Sequence, residues 1–358
     1  MRQSLGAGDR MVVKVGSSSL VGDAGRLDGD AVSRTAVEVA ESWRSGHPTV
    51  LVSSGAVAAG LSALGLSSRP SDMAGLQVAA AVGQGRLMHR YAEAFEEQGL
   101  VAGQILITRD VLANREQYLH ARQALERMLT EGIVPVVNEN DTVVTDALRL
   151  GDNDRLAAIV SHLVSSSVLI LLTDTAGLFA SDPRLGESEF IHAVDHADER
   201  LDQLAGAGPL GSGGVGSKVE AARIAAWSRI PTVVAAAGSS LLAIARGEGI
   251  GTWVEPMPTA LGARKLWIAF CQSARGVVTV DDGAVSALQR GGSSLLPVGV
   301  VSATGTFRPG DTVDVATRHG RVVARGLARM DVVTLRAVAG ERGATEAIHR
   351  DDLVVLAR

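Results

Sequence analysis

The stretch MVVKVGSSS, Met11 to Ser19, sets four apolar residues around one lysine and then breaks into glycine and serine. A short run that is apolar on both faces and closed by turn formers reads as a buried strand feeding a turn. The same grammar returns downstream in TVLVSSG (49–55), VAGQILI (101–107), IVPVVNEN (133–140), VLILLTD (168–174) and TVVAAAG (232–238). Between these runs apolar residues recur at helical spacing. Val32, Ala36, Val39, Ala40 and Trp43 form one stripe, stopped by Gly46, and further helices are expected over about 74–98, 115–131, 154–166 and 218–229. Such strands alternating with helices predict an α/β protein, a three-layer αβα sandwich around a mostly parallel sheet.

Open sheets of this kind bind ligands beyond the carboxyl ends of their strands. Lys14, Ser54, the NEND turn (138–141) and the TDTAG turn (173–177) all fall there, so four strands deliver polar residues to one edge. After EPMPTALGARK (255–265) the texture changes to short Val-rich segments broken by Gly, Asp and Arg. This predicts a main domain over 1–258, a linker over 259–275 and a small, mainly β module over 276–358. Charge divides similarly. From Gly262 onward there are 13 basic and 9 acidic residues, against 21 and 30 before it, within a net charge of −5.

Composition narrows the class. One cysteine, Cys271, leaves no internal disulfide and no Cys-based zinc cluster, and the eight histidines lack ligand spacing. No apolar run approaches the ~20 residues a bilayer requires. The first residues lack the apolar core of a signal peptide, so a cytoplasmic protein is expected.

Of 34 basic residues only three are lysine: Lys14, Lys218 and Lys265. Lysine is a compact point charge and arginine a broad planar fork, so a lysine kept in an arginine-rich chain marks a site where the fork does not serve. Lys218 ends GSGGVGSK (211–218), which resembles a P-loop with its last letters exchanged. The P-loop reading fails on that order. The physics of an anion cradle survives, because glycine N–H groups run into a helix N-terminus.

Taken in order, VVKVGSSSL, LVSSGAVAAG, AAVGQGRL, PVVNEND, GDND, LLTDTAGLFASDPR and GSGGVGSK resemble the amino acid kinase family, in particular its members acting on glutamate. RGGSSLLPVGV and the module around it look like a PUA domain. The resemblance implies the amino acid kinase fold and ATP-dependent phosphorylation of the L-glutamate side-chain carboxylate to L-glutamyl 5-phosphate, the first step of proline biosynthesis. It implies ATP with Mg²⁺ carried on the nucleotide, a homo-oligomer (dimer or tetramer), and proline as a feedback inhibitor.

Residue by residue, it implies that Lys14 contacts the phosphoryl group, that Lys218 stabilises it in transfer and that Asp154 holds both lysines. Ser54, Asp141 and Asn153 correspond to the glutamate-binding set. Thr173 and Asp174 correspond to the nucleotide pair, with Ser212, Gly213, Gly214, Val215, Gly216 and Ser217 lining the phosphate loop beside Lys14 and Lys218. Val215-Gly216-Ser217 departs from the family's usual Met-x-Thr, keeping the hydroxyl and loosening the loop.

Each residue alone has a plainer reading. Asp141, Asp152 and Asp154 suit turns or caps, Ser53 and Ser54 suit a turn, and Lys14 could extend outward from its strand. Their joint order at strand ends favours the site. Two other functions fit parts of the chain: a kinase of the same fold acting on acetylglutamate or aspartate, and an RNA-binding protein working through its tail. RNA binding by the tail is unsupported, because its surplus is only +4 and its stacking aromatics are limited to Trp267, Phe270 and Phe307.

Overall fold

The computed structural model describes residue 2 and residues 4–22, 25–143, 153–206, 214–342 and 345–356. Two compact units emerge, Met1–Ala260 and Leu261–Arg358.

In the first unit the chain runs β1 (Met11–Val15), α1 (Ser17–Leu20), α2 (Gly29–Arg44), β2 (Thr49–Ser53), α3 (Ala56–Ala63), α4 (Met73–Glu96) and β3 (Val101–Ile107). It continues through α5 (Arg109–Ala113), α6 (Arg115–Thr130), β4 (Ile133–Glu139), α7 (Asn153–Leu163), β5 (Val168–Thr173), β6 (Ala193–Asp195) and α8 (Glu199–Gly206). It closes with α9 (Val215–Ala226), β7 (Thr232–Ala236), α10 (Leu241–Ala245) and β8 (Thr252–Glu255). The strands form one sheet in the order β3-β4-β2-β1-β5-β7-β8-β6, parallel throughout except between β7 and β8.

Alternation along β1 assigns the two faces. Met11, Val13 and Val15 pack with Val32 and Val39 of α2 and with Leu87, Tyr91 and Phe95 of α4. Lys14 points to the opposite face and meets Asp154 of α7, which also takes Lys218 of α9. Burying each large apolar side chain of this core, such as Leu51, Leu87 or Phe95, contributes ~1.5–3 kcal/mol. The helices start where the sequence supplies an acceptor: Asp28, Asp72 and Asn114 each take backbone N–H groups at the first turns of α2, α4 and α6.

Helices α3 and α4 touch along glycine. A Cβ added to Gly83 would overlap the carbonyl oxygen of Ala56, and one at Gly60 would overlap that of Ala79. Only glycine permits this approach, and it brings the middle of α4 toward the strand ends.

Three local expectations change. The GSSS stretch after β1 is a single helical turn, α1, rather than a plain turn. Lys218 does not begin its helix, since α9 starts three residues earlier at Val215 with Gly214 as its cap. The long glycine-rich stretch before it is partly helical, because α8 extends to Gly206; residues 207–213 lie outside the described residues.

In the second unit, residues expected within the linker form α11 (Ala263–Leu266) and a wider π-type turn over Trp267–Cys271. Ile268 and Ala269 pack there against Val354. Strands β9 (Gly276–Val280), β10 (Val300–Gly305), β11 (Thr312–Thr317), β12 (Val322–Leu327) and β13 (Leu353–Val355) form a sheet ordered β10-β9-β11-β12-β13. Its core gathers Val278, Val280, Phe307, Val313, Val315 and Leu353.

Candidate active site

Four neighbouring strands, β4, β2, β1 and β5, end at one edge of the first unit's sheet, and the polar residues follow the same order. Asn138 is the next-to-last residue of β4, Ser54 follows β2, Lys14 is the fourth of five residues in β1, and Thr173 closes β5.

The charged part centres on Asp154, in the first turn of α7 and fully buried. The Lys14 ammonium lies 2.6 Å from its Oδ1, and the Lys218 ammonium donates to its Oδ2 at 3.2 Å. Ser217 Oγ lies 2.8 Å from the same Oδ2 and 2.9 Å from the carbonyl oxygen of Gly214. Both lysines are buried, so Lys14 does not extend outward to solvent. Burial by itself would raise the Asp154 carboxyl. The charges of Lys14 and Lys218, with hydrogen bonds from Lys14 and Ser217, outweigh that and hold it below the ordinary carboxylate range.

Two ammonium groups thus converge on one carboxylate in a nearly dry setting. Beside it, α9 starts at Val215 with Gly214 as its cap, and among the described residues no capping side chain accepts from its first-turn N–H groups. An added Cβ at Gly16 would sit in ordinary van der Waals contact with Lys14 Nζ, at 3.6 Å. Such an arrangement suits a phosphate-bearing ligand.

The neutral part lies on the β2–β4 side. Asn153 Nδ2 donates to Ser54 Oγ at 2.8 Å and to Asn138 Oδ1 at 2.9 Å. Asn138 Nδ2 in turn donates to Gln84 Oε1 of α4 at 2.8 Å. Seven residues along the same helix face, Tyr91 places its hydroxyl 2.9 Å from Ser53 Oγ, which donates to the Ser54 carbonyl at 3.0 Å. Burial pushes the Tyr91 phenol well above its usual value, so it stays neutral.

The structure therefore gathers Lys14, Asp154, Ser217 and Lys218 into one cluster and Ser54 with Asn153 into another. Asp141 follows β4 in the turn that begins at Asn140. Thr173 Oγ1 donates to the Asp174 carboxylate at 3.0 Å across the end of β5. Gly214, Val215 and Gly216 form the start of α9, while Ser212, Gly213 and Asp152 lie outside the described residues. Sequence reasoning passed over Gln84, Asn138 and Tyr91 as site components. Asn138 opens the NEND motif and Gln84 sits inside AAVGQGRL, so both lay within motifs already singled out.

Among the described residues no group of three or more His, Cys, Asp or Glu could hold a metal ion, and no helix is long and apolar enough to cross a membrane. The Asp154 carboxylate is engaged by both ammonium groups.

Comparison with known proteins places the chain in a family. Residues 9–236 match the model of the amino acid kinase family, and residues 276–351 match that of the PUA domain. A glutamate 5-kinase of Marinomonas sp. (strain MWYL1) is 45% identical, covering 99% of this chain and 100% of its own length. Glutamate 5-kinases of Frankia casuarinae and Streptomyces coelicolor are each 43% identical, covering 97% and 99% of this chain and 96% and 98% of their own. A carbamate kinase from Giardia lamblia, solved with AMP-PNP, shares the fold at a TM-score of 0.54 and 16% identity, over 70% of this chain and 99% of its own. With the family model spanning most of the first unit and relatives matching nearly end to end, the chain belongs to the amino acid kinase family.

Proposed function

We propose that this chain transfers the γ-phosphoryl group of ATP to the side-chain carboxylate of L-glutamate, giving L-glutamyl 5-phosphate and ADP, the first step from glutamate toward proline. The observation that carries this reading is the buried Lys14–Asp154–Lys218 cluster at the sheet edge, in a chain whose near full-length relatives are glutamate 5-kinases.

The acceptor carboxylate is ionised at neutral pH, so its attack on phosphorus requires no general base. One carboxylate oxygen forms the new bond to Pγ while the bond from Pγ to the bridging oxygen breaks and ADP departs. What the protein supplies is alignment of two anions and neutralisation of charge on the group in transit. Lys218, rising from the first turn of α9, bears on the transferring phosphoryl group, and Lys14 on the β1 side faces it. Asp154, kept ionised, fixes both ammonium groups and draws neither proton away. Mg²⁺ bound to the nucleotide supplies further neutralisation of the phosphates. Ser54, Asp141 and Asn153 hold the amino acid, and Thr173 and Asp174 the nucleotide.

The same reading carries a cytoplasmic homo-oligomer inhibited by proline. The direct test is hydroxylamine trapping of the acyl phosphate with ATP and Mg²⁺, comparing glutamate, aspartate and N-acetylglutamate. Hydroxamate forming with glutamate far ahead of the other two is expected. Comparable turnover of N-acetylglutamate, or none of glutamate, overturns the reading.

A further inference from the structure

We infer that Gln84 of α4 is a positioning residue for the acceptor amino acid, fixing the hydrogen-bond polarity that Asn153 and Ser54 present to it; this rests on the glutamate kinase reading. The argument starts from valence. A side-chain amide has two N–H donors and one oxygen acceptor. Both Asn153 donors are taken, at 2.8 Å by Ser54 Oγ and at 2.9 Å by Asn138 Oδ1. Asn153 is left with its oxygen to offer a ligand. Ser54 Oγ accepts from Asn153, so its O–H is left to donate.

An acceptor beside a donor matches an α-amino acid head group. The ammonium donates to Asn153 Oδ1, and the α-carboxylate accepts from Ser54 Oγ–H. An acylated nitrogen carries one N–H and no charge, so the same pair discriminates against it. Reversing the Asn153 amide would set N–H groups against the ammonium and remove the match.

Reversal is opposed weakly by the Ser53 carbonyl, 3.4 Å from Asn153 Nδ2, and more strongly by Asn138, which is itself held from two sides. Its Oδ1 takes the Glu139 N–H at 2.9 Å, and its Nδ2 donates to Gln84 Oε1 at 2.8 Å. Asn138 is buried, so without Gln84 that donor loses its acceptor and the side chain rotates toward another partner. Rotation withdraws Oδ1 from Asn153 and frees the Asn153 amide. The close glycine packing at Gly83 is what carries the neighbouring Gln84 within reach.

The test uses the full chain and steady-state kinetics for both substrates. Gln84→Met keeps length and removes the acceptor. It should raise KM for glutamate about tenfold, because the freed Asn153 amide no longer presents its oxygen to the ammonium, with KM for ATP within twofold and the melting temperature lowered by a few degrees by the donor left unsatisfied on Asn138. Gln84→Ala, which costs no helix propensity, should move in the same direction if methionine disturbs packing. Gln84→Glu restores an acceptor oxygen and should return KM for glutamate to within threefold of wild type. Wild-type turnover with KM for glutamate unmoved in both Gln84→Met and Gln84→Ala overturns the inference alone. So does an equal rise in both KM values, or a Gln84→Glu defect as large as that of Gln84→Met. A wild type that forms no hydroxamate from glutamate overturns the inference together with the reading beneath it.

Discussion

Lys14, Asp154 and Lys218 meet through full charges in a nearly dry setting, whereas Ser54, Asn138, Asn153 and Gln84, one or two strands away, meet through amides and a hydroxyl. The two groups occupy the same sheet edge and differ in what they can respond to. A charged cluster acts strongly on a group whose charge is redistributed during reaction, because buried charges are poorly screened. A chain of neutral hydrogen bonds has little leverage on a transition state, yet its fixed donors and acceptors discriminate between ligands of similar size. On the proposed reading, substitutions in the charged cluster should therefore appear in kcat and stability, and those in the amide chain in KM for one substrate.

The largest effect should come from Asp154→Asn. Removing the carboxylate takes a shared counter-charge from two buried ammonium groups, and breaking a buried pair typically costs about 3–5 kcal/mol. Urea unfolding at neutral pH would measure it, and a loss under 1 kcal/mol would show that the lysines are hydrated there. The difference between the two proteins should also depend on pH in a defined direction. The folded carboxyl titrates below its ordinary value of 3.8, so its contribution is present above that value and is lost only as pH falls through the lower, folded one.

Lys218→Arg comes next. The guanidinium is broad and planar, whereas the buried Lys218 ammonium meets Asp154 as a compact point charge. A positioned charge of this kind contributes ~2.7–4 kcal/mol to a transition state, so kcat should fall roughly 10²–10³-fold. Activity within threefold of wild type would make charge alone sufficient and remove the contrast between the two regions.

These residues show where the chain was legible. The strands of the parallel sheet could be read because each is a short run apolar on both faces, and Lys14 stood out as the one charge inside such a run. Asp154 was legible through its motif. The amide chain was not, because a buried Asn at a strand end and a Gln in mid-helix each look like ordinary polar residues until the fold sets them side by side. Asn138 and Gln84 are 54 positions apart in sequence, and Asn153 and Ser54 are 99 apart. No local pattern encodes that pairing. The helical turn after β1 was missed for a related reason, since consecutive serines satisfy turn and helix-start rules equally.

Ser217→Ala sharpens the comparison from inside the charged cluster. It removes a neutral hydroxyl contact to Asp154 while both ammonium partners stay. A hydrogen bond to a charged group contributes ~1.5–3 kcal/mol, and the retained lysines offset part of its loss. The expected deficit is about 1 kcal/mol, or roughly fivefold in kcat/KM for ATP, with Ser217→Thr close to wild type. A hundredfold loss would mean that the hydroxyl contacts the transferring group directly.

The smallest effect is expected at the third lysine, and it decides whether counting lysines was a valid argument at all. Lys265 is as rare in this arginine-rich chain as Lys14 and Lys218, so rarity alone would mark it as functional. Its surroundings say otherwise. It lies half-buried in the short helix Ala263–Leu266, and the neighbouring Arg264 makes the ion pair of that turn, 2.8 Å from Asp352. Among the described residues Lys265 has no hydrogen bond or ion pair, and surface substitutions away from such features usually stay within about 0.5 kcal/mol. Lys265→Arg should leave kcat, both KM values and the melting temperature at wild-type levels. Measured beside Lys218→Arg, it separates two causes of lysine retention: a buried counter-charge that admits only a point-like ammonium, and chance. A Lys265→Arg defect approaching that of Lys218→Arg would show that the arginine fork is costly even where nothing in the fold confines it.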